Sequence, residues 1–159
     1  MDETHEALIA SYLESLPLLR AAVAGMTPDQ LRARPVPGRW STLEVVGHLV
    51  DTDQTLCHRM KRTIAEEKPL LIGFDADRFA AALPYHDADI EEELNLMEAM
   101  RREMARVLRS LPESAWSRPA VHSQRGLLTL EQIVRLASDH VPHHLAFIQE
   151  KRKALGLSS

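Results

Sequence analysis

Apolar residues fall at three- and four-residue steps in four stretches of the chain, the spacing that gathers them on one face of an α-helix. The first runs from Glu3 to about Ala24 through Ala7, Leu8, Tyr12, Leu16 and Leu19. Pro17 lies inside it, where a proline removes a hydrogen bond and crowds the preceding turn, so a kink or an early end near Ser15 is expected. Residues 25–40 hold three prolines and two glycines and read as loop, apart from a short capped turn at Thr27-Pro28-Asp29-Gln30. Ser41 then suits an N-cap, with Glu44 three residues on to complete a capping box. Behind it, Leu43, Val46 and Val50 with Val45, Leu49, Leu56 and Met60 predict a second helix reaching about Glu67. A third is predicted from Asp87 to Ser110 through Ile90, Leu94, Met97, Met100, Met104, Val107 and Leu108, and Pro112 ends it. Thr129 and Gln132 open a fourth, with Ile133, Ala137, Val141, Leu145 and Ile148 on its apolar row and Gly156 as its stop.

No strand-length run alternates apolar and polar residues, and no repeat recurs, so the class is all-α. The links, of roughly 13 to 18 residues, exceed the roughly 2 to 8 of a simple up-down bundle and allow crossovers. Residues 68–85 carry Leu70, Leu71, Ile72 and Phe74 and are expected to pack down on the bundle. A chain of 159 residues, 45% hydrophobic and 26% charged, fits one globular domain over 1–159. Its one cysteine, Cys57, excludes an internal disulfide framework and reads as a small packed hydrophobe. A net charge of −4 without long basic runs argues against nucleic acid. The absence of a long apolar run argues against a membrane span, and a cytoplasmic protein is expected.

Eight histidines, about 5% of the chain, change the picture. His140 and His144 are one helical turn apart, although roughly 0.4 such pairs arise by chance at that composition. Their place in line with Ile133 and Ala137 turns them inward, where a neutral imidazole needs partners for both nitrogens. A metal ion would supply one, and hydrogen bonds to backbone or buried carboxylates are the alternative. His48 also faces inward, beside Val45, Leu49 and Thr52. Three histidines are the usual number of protein ligands in a catalytic site that keeps a position open. His5, His86 and His122 lie near a terminus or in connections and are expected to be solvated. His58 is ambiguous, and His143 is expected to pair with Asp139 at the surface. Glu44 and Asp51 are the best placed carboxylates to orient the His48 ring, with a solvated or capping role as the alternative for each and capping the expected one for Glu44. Pro142, between the two α-helical histidines, should bend the helix there. No His-Glu-x-x-His, Gly-x-Ser-x-Gly or glycine-rich phosphate loop is present.

The segments GRWSTLEVVGHLVDTDQTLCHRMKR (38–62) and SDHVPHHLAFIQ (138–149) together resemble the DinB-like superfamily, also called the DinB/YfiT-like metalloenzymes. The resemblance implies a four-helix bundle with long crossovers, commonly a homodimer, and a metal site of His48, His140 and His144, with Trp40 and Ser41 in a structural motif at the helix start. It further implies a divalent transition metal, zinc or nickel first and iron or manganese next, acting on a small-molecule substrate. Two enzyme readings follow: hydrolysis by activated water, or transfer of a low-molecular-weight thiol held as thiolate. A non-catalytic helical binding or stress-response module, with structural metal or none, is the reading from another class.

Overall fold

Three capping boxes set the local starts of helices. Thr27, Ser41 and Thr129 each accept from the backbone N–H three residues on, while Gln30, Glu44 and Gln132 reach back to the cap. In a computed structural model that describes residues 3–157, the helices are α1 (Glu3–Val23), α2 (Pro28–Arg32), α3 (Thr42–Ala65), α4 (Ala76–Ala82), α5 (Ile90–Arg109) and α6 (Leu130–Ala154). Met1, Asp2, Ser158 and Ser159, at the ends of the expected domain, lie outside the described residues. Among the described residues no helix is long and apolar enough to cross a membrane.

The four long helices form the bundle. Helices α1 and α3 each pack against both α5 and α6, so the order around the core is α1, α5, α3, α6. The links from α1 to α3 and from α5 to α6 therefore cross a diagonal, which is why they are long. Leu8, Ile9, Tyr12, Met60, Met104, Leu108, Ile133 and Ala137 fill one end of the core. Leu19, Val46, Leu49, Leu94, Met97, Val141 and Ile148 fill the other.

The expectation of an early end near Ser15 is corrected: α1 continues through Pro17 to Val23. Pro17 is exposed, while Leu16 and Leu19 are buried beside it. Two buried leucines contribute about 1.5–3 kcal/mol each, enough to offset the ~3 kcal/mol a helical proline costs. The expectation that no strand is present is also corrected. Strand β1 (Leu70–Leu71) runs parallel to β2 (Pro119–His122), and β2 pairs antiparallel with β3 (Gly126–Thr129). Pieces of two to four residues are too short to show alternation, and their stability comes from tertiary packing: Leu71, Ala120 and Trp116 enter the core beside them. The register places Leu71 opposite His122, and the connection of residues 68–85 packs down at Leu71 and Tyr85, whereas Leu70 and Ile72, expected to pack with them, are exposed.

Candidate metal centre

The Ser41 box starts α3 and places His48 two turns inside it, where only 8% of the residue is exposed. Gly47 beside it is required by contact: a Cβ there would stand 2.5 Å from the Tyr85 ring. On α6, His140 and His144 present their rings to His48, with centroids 4.7 Å apart from each other and 5.0 and 4.9 Å from His48. The helix runs unbroken through Pro142, which is exposed and leaves the pair in register.

One nitrogen from each ring lies within 4.8 Å of the others, and the Nε2 atoms of His48 and His140 are 3.2 Å apart. Two nitrogens on one tetrahedral zinc ion, each at ~2.0–2.1 Å, stand roughly 3.3 to 3.4 Å apart, so the spacing fits a shared ion. Burial drives the rings towards the neutral form that ligation needs. It is the largest influence on His140, helped by His144, His48 and Arg101, and holds that ring down at about 3. Burial, then His48 and His143, holds His144 at about 4. His48 is lowered by burial against the opposing pull of Asp51 and Asp77. The Nδ1 atoms of His140 and His144 are buried with no hydrogen-bond partner. Hydrogen bonding to backbone or buried carboxylates therefore does not explain these two inward rings, and the donor set suits an imidazole-binding transition metal. Among the described residues no carboxylate or thiol joins the cluster, which leaves any ion with open positions.

The family model described as the DinB superfamily matches residues 12–148. The chain belongs to the DinB superfamily. Among its relatives, an Oceanobacillus iheyensis protein is 31% identical over 144 residues, covering 89% of this chain and 83% of the relative. One from Geobacillus thermodenitrificans is 31% identical over 149 residues, covering 93% and 84%. Both are named as candidate metal-dependent hydrolases. The solved structure of YfiT from Bacillus subtilis superposes with a TM-score of 0.91 at 28% identity, covering 99% of this chain and 91% of YfiT. YfiT is described as a candidate metal-dependent hydrolase with an unusual four-helix bundle topology.

In this DinB-superfamily chain Glu44 takes the capping role expected of it, and neither it nor Asp51 bonds the His48 ring. Glu44 accepts from the Ser41 N–H and from Arg34, and lies 3.2 Å from His86 Nε2. Burial pushes its carboxyl up, but Arg34, Ser41 and His86 bring it to about 2. Asp51 accepts from the Tyr85 hydroxyl. The expectation of solvated histidines holds in part. His86 is partly exposed, whereas His5 is buried and stacked on Trp116 at 4.0 Å; His58, left open by the sequence, is exposed. His122 is buried where β2 turns, and its Nδ1 accepts from the Gln124 N–H at 3.1 Å. His143 is exposed and sets its ring against His144 and Phe147 rather than Asp139. Cys57 is buried against the Tyr12 hydroxyl, and burial raises its thiol pKa, as suits a packed hydrophobe.

Two cavities reach the three rings. One, of about 230 Å³, reaches His48 and His140 together with Thr52, Arg59, His122 and Arg125. The other, of about 240 Å³, reaches His144 past Trp40, Asp77, Phe147 and Lys151. Arg59, unlike Thr52, was not singled out by sequence, although it too shares the His48 face of α3 at helical spacing.

Proposed function

We propose that this chain, acting as one domain, is a metal-dependent hydrolase that holds a divalent transition metal through His48, His140 and His144. The observation that carries the reading is the convergence of three imidazoles, His48 buried and His140 and His144 half-buried, whose ligand atoms lie within 4.8 Å of one another with no fourth ligand among the described residues. Zinc and nickel both suit such a set. When bound, an ion there supplies a Lewis acid that polarises a carbonyl or phosphoryl oxygen and activates water. The protein's own residues do the rest. Burial keeps the three rings unprotonated at neutral pH, the capping box fixes the height of His48 on α3, and Trp40, with its ring 5.2 Å from that of His48, limits solvent at the centre. The cavity on the His48 and His140 side gives a small-molecule substrate access.

One observation supports a second reading: the rings line two cavities, His48 and His140 one and His144 the other, as suits a thiol and an electrophile meeting at the centre. The two are separated by assaying zinc- and nickel-reconstituted chain against 4-nitrophenyl esters, and against a small thiol with an electrophilic arene. Hydrolytic turnover that is lost on chelation and in His48→Ala and His144→Ala is the expected result. Thiol-dependent turnover alone would replace hydrolysis by transfer, and turnover of either kind that survives chelation and both substitutions would contradict the metal reading.

A further inference from the structure

The cavity beside His48 and His140 has an unbalanced charge. Its lining holds two guanidiniums, Arg59 and Arg125, and no aspartate or glutamate. Arg59 is half-buried and makes one hydrogen bond, to the Ile72 carbonyl at 2.5 Å. Arg125 is exposed in the turn between β2 and β3, and among the described residues it has no ion-pair partner. Burial, and after it the charge of Arg125, disfavour the charged form of Arg59, and an anion bound between the two guanidiniums that line this cavity would offset both.

Two further donors face the same space. His122 accepts at Nδ1 from the Gln124 N–H, so its proton sits on Nε2, and the ring lines the cavity. The Thr52 hydroxyl, one turn along α3 from His48, is buried there with no hydrogen-bond partner. The wall that carries Arg125 is held in place, because the Gly73 N–H bonds Ser123 Oγ at 2.9 Å and the Gln124 side chain rests where a Cβ on Gly73 would be. The same lining has apolar residues, Leu56, Leu128 and Ile133 among them. Eleven residues of α3 separate His48 from Arg59, ~16 Å along the axis, and the arginine side chain leans back towards the helix start. A cavity of about 150 Å³ holds benzene, so 230 Å³ holds a somewhat longer molecule.

We infer that the substrate of this site is an anion: a carboxylate or phosphate gripped by Arg59 and Arg125 with the His122 N–H, joined through a short apolar body to the reacting bond beside His48 and His140. This rests on the hydrolase reading for the position of the reacting bond, but the anion grip itself belongs to the chain alone. Calorimetric titration of the full-length chain, zinc-loaded and chelator-treated, with 3-phenylpropionate, its neutral amide and phenyl phosphate tests it. At least one anion is expected to bind about tenfold tighter than the amide, the effect of one charge-assisted contact. Arg125→Gln, at an exposed position that does not threaten folding, and Arg59→Gln should each bring that preference to within about twofold. The preference should persist without zinc, so failure of the metal reading would leave it standing. A tighter phosphate assigns a phosphate ester, and a tighter carboxylate an acyl substrate with a free acid. Equal binding of amide and anions, or a preference undiminished in both arginine variants, overturns the inference while leaving zinc binding and hydrolysis untouched.

Discussion

Two polar clusters sit inside the bundle, three residues apart on α6, and they are completed to different degrees. At the first, Arg101 of α5 is buried with all five of its N–H donors engaged. Nε and Nη2 bond the Asp53 carboxylate on α3, Nη1 bonds the Tyr12 carbonyl and Ser15 Oγ on α1, and Nη2 also reaches the Ala137 carbonyl on α6. The guanidinium lies over the Tyr12 ring at 4.5 Å. One side chain thus ties all four long helices together. At the second, from His140 onward, three imidazoles face each other and two Nδ1 atoms have no partner. Buried polar groups are normally paired, and the second cluster, unlike the first, keeps ring nitrogens that no described residue satisfies. The first cluster holds the helices in register; the second uses that register to converge.

The largest expected effect breaks the first cluster. Arg101→Met leaves the Asp53 charge buried alone and should cost about 3–5 kcal/mol of unfolding free energy, read by urea denaturation. Adding Asp53→Leu to it should restore most of that loss, since an apolar pair of similar volume often substitutes for a buried ion pair. Next in size, zinc at about 100 times its dissociation constant should stabilise the native chain by about 2.7 kcal/mol and leave His144→Ala unmoved in the same denaturation series.

A smaller effect comes from acid. Free histidine titrates near 6.5, while folded His140 and His144 take protons only at about 3 and about 4. Between those values the unfolded chain binds the more protons, so stability of the metal-free protein is fullest above pH 6.5 and falls as the pH drops towards 4. Each ring contributes a slope of up to about 1.4 kcal/mol per pH unit. His140→Leu/His144→Leu should flatten that part of the profile, and an unchanged slope would show that other groups set it. The smallest change is at Thr52, where Thr52→Val removes an orphaned buried hydroxyl. Chemical denaturation should find stability unchanged or raised by about 1 kcal/mol.

The long helices and the three histidines were legible because each carries a local signature: a capping box at Ser41 and Thr129, a 3.6-residue apolar row, and histidines on the inward side of that row. Helix α5 began at Ile90 rather than Asp87, because Asp89 takes the cap by bonding the Glu91 and Glu92 N–H groups. What was not legible depends on distant residues. The pairing of Leu70–Leu71 with Val121–His122 joins segments about fifty residues apart, and neither is long enough to show a period. His5 and His122 are buried by Trp116 and by the hairpin, features with no local mark. The Arg101 network had a faint one: Arg101 stands in step with Leu94, Met97, Met104 and Leu108, where a charge on the apolar row calls for a buried partner.

The central claim is the metal, and it is tested most directly by elemental analysis of chain purified without any immobilised-metal column and reconstituted with zinc or nickel before dialysis. Native protein should retain about one ion per chain, and His48→Ala, His140→Ala and His144→Ala should each lose it while keeping the helical circular dichroism of the bundle. Native protein without metal, or variants that hold as much as the native chain, would contradict the three-histidine centre.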